Sequence, residues 1–209
     1  MQGVGTFIYK AIWKFFTWIG GAISHLLTWV VLYCNNVRFQ KIHSKGVPFV
    51  KVARGGKCTI GNNFRINNTI QSNPIGRVQR CIFVVKQGAN LKIGNNVGVS
   101  ATAIVAHHNI TIGDNVKIGG GVCIYDTDFH AVNPKIRNNR KTDFETKRKR
   151  PVIIENNVFI GAHSTLLKGV TIGENSVIGA CSVVTKNIPP NEIWAGNPAA
   201  FIKKLQFDD

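Results

Sequence analysis

His130 is the residue best placed to do chemistry. It closes the run Asp126-Thr127-Asp128-Phe129-His130, two positions after one carboxylate and four after another. An imidazole titrates near neutrality, so it can take a proton from a hydroxyl and return it. A carboxylate bonded to one ring nitrogen would fix the tautomer and leave the other nitrogen as the base. Asp126 and Asp128 are the nearby candidates for that carboxylate, and spacing does not choose between them. The other histidines are weaker. His107 and His108 sit at a corner where the pattern described below is out of step, and His163 follows Gly161-Ala162. His25 and His43 read as surface residues. No pair has ligand spacing on a defined element, so no metal site is expected. The five cysteines are odd in number and form no CxxC, which argues against a disulfide framework and for a reducing compartment.

These residues are embedded in a short-period repeat. Ile154, Ile160, Leu166, Ile172, Ile178 and Val184 recur every six positions, as do Ile112, Ile118 and Ile124, then Ile93, Val99 and Val105, with Ile60 and Ile66 upstream. Small residues follow many of these anchors, as at Gly94, Gly113, Gly119, Gly161, Gly173 and Gly179. Neither a helix nor a simple two-faced strand has a period of six. A short strand plus a tight turn, repeated, does. Gly-Asn, Gly-Asp and Gly-Glu pairs tolerate the positive φ of such turns. Three units make one triangular coil, and the coils bury their aliphatics by stacking, so an all-β solenoid is expected. The repeat fails over residues 126–150, which reads as a loop expelled from the coil. Long ordered loops of this kind are usually functional.

Residues 58–70, 89–125 and 152–187 resemble the hexapeptide-repeat acyltransferases. The stretch VIIENNVFIGAHSTLLKGVTIGENSVIGACSVVTKNIPPNEIWAGNPA is similar to the C-terminal half of the galactoside, maltose and polysaccharide O-acetyltransferases. The resemblance implies a left-handed parallel β-helix, a homotrimer with sites between subunits, and acetyl-CoA as donor. It makes His130 the general base, oriented by Asp126 or Asp128, and the Ala162 amide the oxyanion donor. It places the donor against Phe159, Gly161, Ala162, Gly179, Ala180, Thr185 and Lys186, and against Lys203 on a short terminal helix at about 199–206. Ser100, Tyr125 and His107 become acceptor-side candidates. Where some relatives carry an arginine after the AGxP turn, this chain has Ala200. The expected domain of this kind spans residues 57–209.

Residues 1–56 stand apart, as an apolar helical segment followed by a basic connector at 35–56. Within 4–34 the polar or small residues Lys10, Lys14, Thr17, Gly21, Ser24, His25 and Thr28 form a narrow helical stripe, and the rest is largely aromatic and aliphatic. Three arrangements are open: a helix or helical hairpin lying in a membrane interface, a single span, or packing on protein. The Gly20-Gly21 pair could bend such a helix and favours lying down. Twenty-six basic against ten acidic residues give a net charge of +16, which calls for an anionic partner. No nucleic-acid module signature is present, so a bilayer surface or a phosphorylated donor is the expected partner, and nucleic acid is not. Together these features predict an O-acetyltransferase acting on a surface-polysaccharide sugar, lipid-linked, peripheral on the inner face of the cytoplasmic membrane. Another small acceptor (an antibiotic hydroxyl, serine or an amino sugar) or a non-catalytic scaffold are the alternatives.

Overall fold

The computed structural model describes residues 2–76 and 79–207. Its first element is one uninterrupted helix, α1 (Gln2–Cys34), which runs straight through Gly20 and Gly21 as helix. Eighteen short strands then wind into six coils of three. The first coil is β1 (Arg38–Phe39), β2 (Ile42–Lys45) and β3 (Phe49–Val52). The second is β4 (Lys57–Ile60), β5 (Phe64–Asn67) and β6 (Ile82–Val85), and the third β7 (Asn90–Ile93), β8 (Gly98–Ser100) and β9 (Ala103–Ala106). The fourth is β10 (Asn109–Ile112), β11 (Lys117–Ile118) and β12 (Cys123–Tyr125). The expelled segment follows, with α2 (Pro134–Arg137) and α3 (Arg140–Thr146). The fifth coil is β13 (Val152–Ile154), β14 (Phe159–Ile160) and β15 (Thr165–Leu166), and the sixth β16 (Thr171–Ile172), β17 (Val177–Ile178) and β18 (Val183–Val184). The hairpin β19 (Glu192–Ala195) and β20 (Ala200–Lys204) closes the stack.

Strands from successive coils pair in parallel, so the coil has three faces: sheets of six, eight and six strands. The period-six anchors point inward. Ile154, Ile160, Leu166, Ile172, Ile178 and Val184 are all at most 1% exposed, and Phe64 and Phe83 pack together inside the second coil, ring centroids 6.1 Å apart. One anchor is corrected: Val105 faces outward, and its inward neighbours are Ile104 and Ala106, because it is Ile104 that stands in register with the inward Ile124 of the next coil.

One corner is built from a ladder of asparagines. Asn63, Asn96, Asn115, Asn157, Asn175 and Asn191 take left-handed φ between 56° and 62°. Each passes a side-chain amide bond to the next coil, at 2.9, 3.1, 3.1, 3.0 and 2.8 Å. Asparagine tolerates this conformation, and stacking lets its amide donate to one neighbour and accept from the other. Asn115→Ala, which loses two such bonds and leaves alanine at φ 59°, is expected to lower unfolding free energy by about 1–2 kcal/mol. Chemical denaturation measures it; an unchanged midpoint would remove the ladder from the list of stabilising features.

Two expected boundaries change. The basic connector at 35–56 is the first coil: β2 and β3 pair in parallel with β5 and β6. Short strands with lysines on the outward face hide the repeat there, since within β2 and β3 only Ile42, Ser44 and Val50 are buried. The terminal helix expected at 199–206 is instead strand β20, antiparallel to β19. Beyond the last coil, β19 would present unpaired backbone groups, and a segment of so few residues gains more by pairing with that edge than by forming an isolated helix.

Candidate active site

The expelled loop leaves the coil after Tyr125 and returns at Val152, and its stem is zipped. Asp128 N–H donates to Arg148 O (3.1 Å) and Arg150 N–H to Asp126 O (3.0 Å), with an antiparallel bridge between Thr127 and Lys149. Inside the loop, Asn133 caps α2 and Asn139 caps α3 through their side chains. The Arg137 guanidinium ties the two parts by donating to the carbonyls of Ala131 (3.2 Å) and Val132 (3.0 Å).

This framework brings His130 to Asp143, not to Asp126 or Asp128. His130 Nδ1 lies 2.7 Å from Asp143 Oδ2, and the other carboxylate oxygen accepts the Ala131 N–H at 2.6 Å. The Ala131 amide first, then the bond to His130, holds the Asp143 carboxyl below its usual range. The carboxylate is 13% exposed and the imidazole 68%, so the ring is anchored at one nitrogen and open at the other. Phe129, His130, Arg140, Lys141, Asp143, Phe144 and Glu145 line an open cleft of about 640 Å³.

The two carboxylates expected beside His130 do other work. Asp126 is fully buried and accepts the His107 and His108 amides at 2.7 and 2.8 Å. Burial outweighs those bonds and raises its pKa. It holds the corner where the loop departs. Asp128 pairs with Lys168 Nζ at 2.5 Å. Asp143 lay thirteen residues from His130, on a helix of its own, so spacing carried no signal for it. The one available hint was that Asp143 and Glu145 are the only other acidic residues in the expelled loop.

Phe129 sets the direction of His130. Its φ is 63°, a left-handed conformation that a bulky residue rarely adopts. Edge contacts hold it there: the Tyr125 ring at 5.2 Å and the His107 ring at 5.6 Å. Tyr125 and His107 therefore support the loop. Burial pushes the Tyr125 phenol up to about 12. Burial first, then Lys147, Lys86 and Lys149, pushes His107 down to about 4. The sign follows. Between pH 6.5 and about 4 the unfolded chain takes up a proton at His107 and the folded chain does not. Acidification through that window is expected to cost stability, and the slope should shrink in His107→Gln. Equal slopes in urea titrations of the two proteins would sink this assignment. Ser100 lies apart from this cluster, its hydroxyl accepting from Asn67 Nδ2 at 3.1 Å.

The donor-side residues fall into two groups. Phe159 stands half-exposed on the outer face of β14, and Gly161, Ala162, Gly179 and Ala180 follow β14 and β17 at one corner. Thr185 and Lys186 lie at a different corner, after β18, and Lys186 Nζ sits 5.0 Å over the Trp194 ring. Lys203 lies on β20, opposite Ile193. Coil stacking alone already demands the glycines: a Cβ on Gly161 would lie 2.5 Å from Ala180 N, and one on Gly179 2.7 Å from Ala195 Cβ. Ala162 differs from its counterparts at the asparagine corner. There, side-chain oxygens cover the equivalent amides, such as Asn95 N–H on Asp114 Oδ1 at 2.6 Å and Asp114 N–H on Asn156 Oδ1 at 2.8 Å. Gly120 and Ala180 stack on either side of Ala162 and offer no side-chain acceptor.

Fold and site together define a class: the coil is a left-handed hexapeptide β-helix carrying a loop-borne histidine–carboxylate pair. Residues 151–186 match the bacterial transferase hexapeptide (six repeats) family, and the resemblance to hexapeptide-repeat acyltransferases stands. The chain is 42% identical over 123 residues to the galactoside O-acetyltransferase of Escherichia coli strain K12, covering 58% of each chain. It thus spans a little over half the length of that relative. The hexapeptide-repeat acetyltransferase of Vibrio cholerae, solved in complex with acetyl coenzyme A, is 29% identical. That alignment has a TM-score of 0.50 and covers 56% of this chain and 61% of the other. An N-acyltransferase from Bacillus cereus, 22% identical, shares the fold with a TM-score of 0.61 over 81% of this chain and 84% of its own. Among the described residues no cluster of three or more His, Cys, Asp or Glu is arranged to hold a metal ion.

Proposed function

We propose that this chain is an O-acetyltransferase that moves acetyl from acetyl-CoA to a hydroxyl of a surface-polysaccharide building block, lipid-linked and met at the cytoplasmic face of the membrane. The observation that carries the chemistry is the 2.7 Å bond between His130 Nδ1 and Asp143 Oδ2. The carboxylate keeps the ring proton on Nδ1 and leaves Nε2 as acceptor. Nε2 takes the proton of the sugar hydroxyl as its oxygen attacks the thioester carbonyl. The tetrahedral oxyanion is stabilised by the Ala162 N–H. The C–S bond then breaks, and the imidazolium returns its proton to the leaving thiolate. No covalent acetyl-enzyme is needed.

The base and the oxyanion amide belong to different corners of the triangular coil, after β12 and after β14. This separation supports a homotrimer in which the Ala162 corner of one subunit meets His130 of its neighbour. The small-residue corner and half-exposed Phe159 suit the pantetheine arm, and Lys186 and Lys203 suit the phosphates as point charges.

The test is thioester consumption. Purified protein is mixed with acetyl-CoA and a panel of glycans, antibiotics, serine and amino sugars, and free thiol is followed. Glycan-dependent release that tracks the trimer on sizing columns supports the reading. Release only with a non-glycan acceptor reassigns the substrate. A folded protein that binds no acetyl-CoA is a scaffold.

A further inference from the structure

The helix α1 is built inside out. At 3.6 residues per turn, Lys10, Lys14, Thr17, Gly21, Ser24, Thr28, Leu32 and Asn35 fall within a stripe about 80° wide. The C-terminal part of that stripe is seated on the first coil. Thr28 and Leu32 are fully buried, Thr28 Oγ1 donates to Ser44 Oγ on β2 at 3.0 Å, and Asn35 Oδ1 accepts the Val52 N–H at 3.1 Å. Over its last turns the helix therefore sets the stripe side on protein and leaves its large apolar side outward. The outward centre carries Ile8, Ile12, Phe15, Ile23, Leu26 and Val30, each at least 42% exposed. Aromatic residues border it: Tyr9 and Trp13 on one side, Trp18 and Trp29 on the other.

We infer that α1 lies flat in the interface of an anionic bilayer, apolar back in the acyl region, with the lysine stripe and first coil at the headgroups. This deepens the membrane part of the proposed function and does not depend on the transferase chemistry. The helix Gly3–Cys34 is long and apolar enough to cross a membrane, and two observations favour the in-plane position. A span needs about 20 consecutive, predominantly apolar residues. The uncharged stretch 15–34 is held on the first coil at its C-terminal end, where Thr28 and Leu32 are buried. The stretch ahead of that contact, 3–27, carries Lys10 and Lys14 on its polar stripe. An in-plane helix fits every part. Aliphatics take the deepest position, tryptophan and tyrosine the boundary, and lysines the phosphates. Charge selects the lipid: Arg38, Lys41 and Lys45 are all exposed on the coil that holds the helix, in a chain of net charge +16.

The full chain is mixed with vesicles of phosphatidylcholine, alone or with phosphatidylglycerol. Binding should be strong only with phosphatidylglycerol and should weaken with salt. Lys10→Glu with Lys14→Glu should lower the partition coefficient by about tenfold or more. Phe15→Asp with Leu26→Asp should abolish binding; both sites are more than half exposed, so fold and helix content, read by circular dichroism, should persist. With nitroxide-labelled lipids, single-tryptophan versions at 13, 18 and 29 should be quenched at one common shallow depth. One deep and two shallow tryptophans would mean a span. Absence of vesicle binding, with the Asp variants instead splitting an oligomer, would mean that α1 packs on other copies. Either result overturns the inference. Thiol release on a soluble acceptor, unaffected by these changes, keeps its failure separate from that of the transferase reading.

Discussion

Replacing His130 with alanine is expected to lower acetyl transfer by about 10²–10⁴-fold, the usual contribution of a positioned general base. The imidazole is 68% exposed and its ring is bonded to Asp143 alone among the hydrogen bonds described. Its removal opens no cavity in the core, and Asp143 keeps the Ala131 amide at 2.6 Å. Acetyl-CoA affinity and melting temperature should therefore stay close to those of the parent protein. The loss should appear in kcat, since the base acts only as the hydroxyl proton moves. A variant that releases thiol at the parental rate would end the assignment of His130. A variant that also melts early would show that the residue organises the loop.

Asp143→Asn is expected to be nearly as severe, by about 10²–10⁴-fold in kcat, for a reason specific to this geometry. The Ala131 N–H requires an oxygen at the Oδ1 position. The asparagine amide must then turn its NH₂ toward His130 Nδ1, which becomes the acceptor, and the ring proton moves to Nε2. The base is present but protonated at the wrong nitrogen. KM for acetyl-CoA should be unchanged. Asp126→Asn is the contrasting change. It weakens two backbone bonds at the loop stem, so stability should fall first. If Asp126→Asn lost kcat and Asp143→Asn did not, the orienting carboxylate would have been misassigned. The pH dependence has a definite sign. Because Asp143 is held below its ordinary range, its contribution to folding is complete above its unfolded value and is lost as pH falls through the folded one.

The coil was legible because its cause is local and repeated. Each unit needs an aliphatic residue inside and a turn-tolerant residue at the corner, so Ile154 to Val184 announce six units without any knowledge of their neighbours. The same logic failed where a unit satisfied its backbone in another way. The first coil carries Ser44 at a buried position, where its hydroxyl donates to Gly46 O, and polar residues at such positions break the pattern. β20 exists only because β19 offers an edge. His130 is a candidate base by its type, its place at the base of the loop and the family resemblance, and its role is the one proposed above.

By itself, the sequence determined the solenoid, the site of the expelled loop and the apolar helix. The tertiary structure decided what these touch. Which carboxylate faces His130 depends on two capped helices folding back over thirteen residues, and the two nearer carboxylates were taken by the His107–His108 amides and by Lys168. Which side of α1 faces outward depends on where Thr28 and Leu32 meet the first coil. Periodicity is written in single residues, but pairing between segments distant in sequence is settled by competition among all the partners that the fold brings within reach.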